Sequence, residues 1–157
     1  MQPFALPMKT IEIPNDILIP KVKEVIDRGA TATLRVKGYS MRIFLDNERD
    51  LVTLAPPHRE GLRPGDVVLA EDRPRHYVLH RIIARHGDTL TLMGDGNVSG
   101  TETCTTNDVI GIVTHVYRKG RTKPDTVEGW KWRTYSRIWL TLKPFRRYIL
   151  AIYRRLF

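Results

Sequence analysis

Three short stretches of this 157-residue chain hold the side-chain types that nucleophilic catalysis requires. Ser40 lies just after a glycine at the end of an alternating run, His80 lies in a later apolar run, and Asp95 lies in residues 94–97. A serine hydroxyl becomes a strong nucleophile when a base accepts its proton and a third group orients that base. The three residues therefore make acyl transfer the first chemistry to consider.

Each of these residues also has a plainer interpretation. A serine after a strand is commonly only a turn or capping residue, and an Asp-Gly pair such as that at 95–96 is typical of a hairpin turn. His80 lies in an alternating run and can be a partly buried structural histidine. For Ser40 the neighbours favour catalysis, because Gly38 permits close backbone approach and Met41 can anchor the loop while the hydroxyl faces outward.

The apolar pattern predicts a mainly β body over residues 31–117. Apolar residues alternate with polar ones or form short runs, and turn signals separate them. Six strands are expected, at about residues 31–37, 51–54, 67–70, 77–84, 89–93 and 109–117, with a polar loop at 94–107. Frequent short strands are typical of a small barrel or sandwich. Residues 1–30 are a separate segment with one short amphipathic helix, which we expect to cover a sheet edge or a substrate groove.

Residues 118–157 form a basic tail with a polar linker and an amphipathic helical part that Pro144 divides in two. The tail has 12 Lys and Arg against 2 acids, whereas the other 117 residues have 14 basic and 15 acidic residues. Aromatic side chains among arginines in residues 130–157 favour an anionic membrane surface as partner. Packing on the body or a homodimer is the next interpretation, and nucleic acid is the third.

Composition limits the other function classes. The single cysteine excludes an intramolecular disulfide and a cysteine-rich zinc site, and no paired histidines suggest a metal, so no metal or cofactor is expected. No run approaches the roughly 18 apolar residues of a spanning helix, and the start of the chain lacks the pattern of a secretory signal. The expected location is the cytoplasm, with peripheral attachment to the inner membrane face as an option.

Five short motifs, in order, resemble those of the S24/S26 serine peptidases, the group of LexA-like self-cleaving repressors and type I signal peptidases. They are GYSM at residues 38–41, LRPGDVV at 62–68, HRII at 80–83, GDGN at 94–97 and DVIG at 108–111. The resemblance covers about residues 31–117. It implies a β-rich catalytic fold of the LexA or signal-peptidase type, in which Ser40 is the nucleophile.

The resemblance also implies the remaining site residues. His80 stands where the family places its base, and no lysine occurs between Lys37 and Lys119, so the chain resembles the histidine-base branch. Asp95 is the preferred acid to orient the imidazole, and Glu102 is the second choice. A hydroxyl that helps many signal peptidases two residues before the nucleophile is replaced here by glycine, which leaves main-chain N–H groups for the oxyanion.

The expected function is therefore a serine endopeptidase that cleaves a specific peptide or protein precursor, such as a leader sequence. The alternative is a non-catalytic binding or regulatory module of the same fold, which uses its basic tail to engage membrane or nucleic acid. Reactivity of Ser40 distinguishes the two.

Overall fold

The computed structural model describes residues 13–157, which form three α-helices and eight β-strands. In chain order these are α1 (Asn15–Asp27), β1 (Ala32–Arg35), β2 (Leu51–Ala55), β3 (Val67–Arg73), β4 (His76–His86), β5 (Thr89–Met93), β6 (Glu102–Thr105), β7 (Val109–Tyr117), β8 (Asp125–Thr126), α2 (Trp130–Thr141) and α3 (Arg146–Leu156). The prediction of a mainly β body is confirmed at the level of fold class.

All strand pairs among the described residues are antiparallel, and the sheet has the order β1-β2-β7-β3-β4-β5-β6, with β8 on β7. Register shifts interrupt several of the pairs, as between Leu69 and Ala70 where β3 meets β7. Such bulges increase local twist and curvature. The sheet can therefore enclose apolar side chains on both of its faces.

Two clusters of buried side chains form the core. The first includes residues of α1, β2, β3, β7, α2 and the loop after Val36, and partly buried side chains of β1 pack against it. The second lies under β4, β5 and β6 and contains Ile82, Leu92 and Cys104. Helix α1 contributes Val22 and Ile26 to the first cluster, because its apolar positions recur every three or four residues. The N-terminal helix therefore packs on the body.

The tail is also packed on the body over its first half. Helix α2 buries Trp132, Ser136 and Trp139, which recur at three- and four-residue intervals on one face. Pro144 lies in a short 3₁₀ turn between α2 and α3, as the expected division at this proline requires. Among residues 13–157, no helix is both long enough and apolar enough to span a bilayer.

Candidate active site

The loop that carries Ser40 is fixed at both ends. Gly38 adopts a φ of 86°, a left-handed conformation that favours glycine, and its N–H donates to Asn47 Oδ1 at 2.7 Å. Met41 is only 2 % exposed and belongs to the first core cluster. Ser40, between these two supports, is half-buried. The sequence thus places a rigid turn and an apolar anchor on either side of the serine.

The turn at residues 94–97 packs directly against this loop. The Gly96 N–H donates to the Ser40 carbonyl oxygen at 2.7 Å. A Cβ on Gly94 would lie 2.3 Å from the Ser40 carbonyl oxygen and 3.1 Å from His80 Nε2, and a Cβ on Gly96 would lie 2.5 Å from the Tyr39 carbonyl oxygen. Both glycines are therefore required by close approach, and the same contact brings the Ser40 backbone near His80.

His80 is oriented by Glu102. The Nδ1 atom of His80 and Oε2 of Glu102 are 2.7 Å apart, and the His80 side chain is 7 % exposed. Because a carboxylate is an acceptor only, this contact assigns the proton of a neutral imidazole to Nδ1. The Nε2 atom is then an unprotonated acceptor on the side of the ring that faces Gly94 and the Ser40 loop.

The preference for Asp95 over Glu102 as the acid beside His80 is not what the structure shows. Asp95 is fully buried and accepts two hydrogen bonds from Arg81, at 2.8 Å from Nε and 2.7 Å from Nη2. Both of its oxygens are therefore committed to a guanidinium. Asp108 caps the 3₁₀ turn before β7, where it accepts hydrogen bonds from the N–H and the hydroxyl of Thr105.

Strand register explains why Glu102 reaches His80. In the paired strands Ile82 is opposite Leu92, and Leu92 is opposite Glu102. His80 lies two residues from Ile82 and thus on the same face of β4. Strand β5 lies between β4 and β6 but ends at Met93, so no β5 side chain separates His80 from Glu102. The sequence analysis predicted a loop over residues 94–107. It missed β6 because a strand of four residues with one buried side chain shows no apolar alternation.

Arg81 anchors a buried polar network that sequence reasoning did not identify. Besides Asp95 it donates to the Gly65 carbonyl oxygen at 2.8 Å and to the Ser136 hydroxyl of α2 at 2.6 Å. Arg146, at the start of α3, is 1 % exposed and donates to the Gly94 carbonyl oxygen at 3.3 Å. Burial lowers the pKa of Arg146 from its usual value. The two tail helices are thus tied to the strands and turn beside Ser40 and His80.

A cavity of about 800 Å³ opens beside Ser40, His80 and Glu102. Its apolar wall includes side chains of α1, β1, β2, β3 and β4, and its lining contains Leu18, Leu34, Val52, Leu54, Leu69 and Leu79. Polar side chains, among them those of Ser40, His80 and Glu102, share the lining with these apolar groups. Such a cavity is large enough for several amino-acid side chains. The expectation that α1 covers a groove agrees with Leu18 and Ile19 in this lining.

Two features of the serine bear on its chemistry. Neither its hydroxyl nor its main-chain N–H forms a hydrogen bond with any part of the chain that the structure describes. The N–H is therefore free to donate to a ligand oxygen. The proton-transfer contact between Ser40 and His80 is not made in this structure, although the two residues line one cavity.

Comparison with models of known protein families gives no match, and comparison with curated protein sequences gives none either. Within residues 13–157 no group of three or more His, Cys, Asp and Glu side chains is placed to hold a metal ion.

Proposed function

We propose that this chain is a serine endopeptidase of the S24/S26 type, in which Ser40 is the nucleophile, His80 the general base and Glu102 the acid that orients His80. One observation supports this most: the His80–Glu102 pair holds Nε2 beside the Ser40 loop, and all three residues line a cavity with an apolar wall. A base, its orienting acid and a serine are the parts that nucleophilic catalysis needs.

In the proposed mechanism the Ser40 oxygen bonds to the scissile carbonyl carbon while His80 Nε2 accepts the hydroxyl proton. The Ser40 N–H donates to the negative oxygen that forms. His80 then gives its proton to the leaving amine as the C–N bond breaks, which leaves an ester on Ser40. A water, deprotonated by His80, then attacks the ester carbonyl carbon, and His80 returns that proton to the Ser40 oxygen as the ester C–O bond breaks and the carboxylic acid is released. Catalytic hydrogen bonds often tighten only with substrate bound, so the present Ser40–His80 geometry is compatible with this role.

The cavity favours a peptide in extended conformation as substrate. Thr33, Leu34 and Arg35 of β1 line it, and β1 is the end strand of the sheet path in residues 13–157. An extended peptide can add to such an edge through main-chain hydrogen bonds while alternate side chains enter pockets. The apolar lining then selects substrates with apolar side chains near the scissile bond.

The test is covalent labelling of the full chain with a fluorophosphonate, followed by intact-protein mass spectrometry. We expect one adduct on the wild type, none on Ser40→Ala, and at least ~100-fold slower labelling of His80→Ala. Ser99→Ala, which removes an exposed serine outside the cavity, is the matched control and should label like the wild type. Absence of labelling on the wild type, or labelling that persists in Ser40→Ala, would overturn the proposal and favour a non-catalytic binding module.

A further inference from the structure

Helix α3 presents an apolar stripe to solvent. Its members are Phe145, Tyr148, Ile152 and Leu156, which recur every three or four residues and so share one side of the helix. Ile152 is 60 % exposed and Leu156 is 70 % exposed. The opposite side of α3 holds the buried Arg146 and Leu150. The stripe is therefore an apolar surface that the described body leaves uncovered.

The charge around this stripe has one sign. Residues 129–157 contain eight Lys and Arg and no Asp or Glu. Arg147, Arg154 and Arg155 are exposed, and none of them forms an ion pair with an acid of residues 13–157. At 100° per residue Arg155 lies beside the stripe, whereas Arg147 and Arg154 lie on the far side of the helix, from which their long side chains have to extend toward a surface that the stripe contacts. A partner must therefore satisfy apolar side chains and cations together.

We propose that the α3 stripe docks this protein on an anionic lipid surface, with Ile152 and Leu156 at the acyl boundary and the arginines at the headgroups. An interfacial helix has this combination of an apolar face and basic residues. A second copy of the chain fits less well, because it would bring together two segments that each have eight Lys and Arg and no Asp or Glu in residues 129–157. Nucleic acid also fits less well, since phosphates and stacked bases would leave the aliphatic Ile152 and Leu156 side chains of the stripe without an apolar partner.

The packing of α2 removes two of its aromatic side chains from the docking surface. Trp132 and Trp139, which sequence reasoning placed among the membrane-facing aromatic residues, are each 4 % exposed. Arg146, the first residue of α3, donates a hydrogen bond to the Gly94 carbonyl oxygen. Gly94 lies next to His80, because a Cβ added to it would be 3.1 Å from His80 Nε2. Docking of α3 would hold this end of the cavity near the membrane surface. The docking proposal does not depend on whether Ser40 is catalytic.

The experiment is flotation of the full chain with vesicles of 3:1 phosphatidylcholine and phosphatidylglycerol, compared with vesicles of phosphatidylcholine alone. We expect binding to the anionic vesicles, with partitioning at least tenfold weaker to the neutral ones and at high salt. Ile152→Ser/Leu156→Ser should reduce partitioning to anionic vesicles by roughly tenfold or more. Ile17→Ser is the matched control, because Ile17 is an exposed apolar residue of α1, at 53 %, and should leave partitioning unchanged.

Circular dichroism of each variant establishes that it is folded, and the salt and lipid comparisons on the wild type provide a test that needs no substitution. Equal partitioning of the double variant and the wild type would overturn the proposal. Equal partitioning of the wild type to vesicles with and without phosphatidylglycerol would also overturn it. A concentration-dependent dimer in sedimentation, or binding to labelled single-stranded DNA, without vesicle binding would assign the stripe to one of the other partners.

Discussion

His80 and Arg81 are neighbours on β4, yet the carboxylates they contact lie in opposite surroundings. On one side of the sheet, His80 meets Glu102 at the edge of a cavity, and the Glu102 side chain is 21 % exposed. On the other side, Arg81 meets Asp95, and both side chains are fully buried. Alternation along the strand produces this division, because successive side chains point to opposite faces.

The difference separates a pair that has a free ring nitrogen beside a cavity from a pair whose hydrogen-bonding groups are all engaged. Arg81 donates to Asp95, Gly65 and Ser136, so the buried pair has no open position for a ligand. His80 uses only Nδ1 within the described protein and leaves Nε2 toward the cavity. The His80–Glu102 and Arg81–Asp95 contacts have similar lengths, but we expect one to affect reactivity and the other to affect stability. Substitution of each acid can distinguish these effects.

The largest expected effect is a loss of stability in Asp95→Asn. The substitution leaves the Arg81 charge buried without its counter-ion, and breaking one side of a buried pair costs about 3–5 kcal/mol of unfolding free energy. Urea denaturation measures this change, with Glu60→Gln, an exposed acid, as the control. The double variant Arg81→Met/Asp95→Leu should recover part of the loss, because no charge then stays unpaired. A midpoint for Asp95→Asn equal to that of Glu60→Gln would contradict the structural role.

The second prediction concerns Glu102→Gln, which should slow fluorophosphonate labelling of Ser40 by roughly 100-fold or more. Gln has nearly the same shape but cannot stabilise an imidazolium or enforce the proton on Nδ1. Because Glu102 is partly exposed, the unfolding free energy should change by less than about 1 kcal/mol. A change in labelling rate for Glu102→Gln and a change in stability for Asp95→Asn would together show that the two acids have different roles. Labelling of Glu102→Gln at the wild-type rate would remove Glu102 from the mechanism.

The smallest expected effect concerns Cys104, which lies two residues after Glu102 on β6. We expect its thiol to be unreactive in the folded protein. Burial raises the pKa of its thiol to about 11, and the residue is 5 % exposed. Since only the thiolate reacts, labelling with a maleimide at pH 7.5 should be negligible in the folded protein and complete in urea. Mass spectrometry counts the adducts. Rapid labelling of the folded chain would mean that β6 opens readily and that Glu102 is not held against His80.

The sequence predicts most of this architecture, but not the partner of His80. Alternation identified the long strands, and the split of the tail at Pro144 was confirmed because a proline acts locally. The prediction preferred Asp95 as the acid beside His80 and kept Glu102 as the second choice, whereas the structure pairs Asp95 with Arg81 and Glu102 with His80. An Asp-Gly turn and a catalytic aspartate look alike in sequence, and only the β4-β5-β6 register decides which carboxylate meets the imidazole. The packing of α2 over Arg81 could not be predicted from local sequence either, because Ser136 lies 55 residues from Arg81 in the chain.

The burial of Cys104 also makes the molecule convenient for spectroscopy. The chain has one cysteine, and that thiol lies under the sheet. A cysteine introduced at an exposed position, such as Ser99 or Ala151, would therefore be the single reactive thiol of the folded protein. A spin label or fluorophore attached there would report the depth and orientation of one chosen surface without removal of any native side chain from the core.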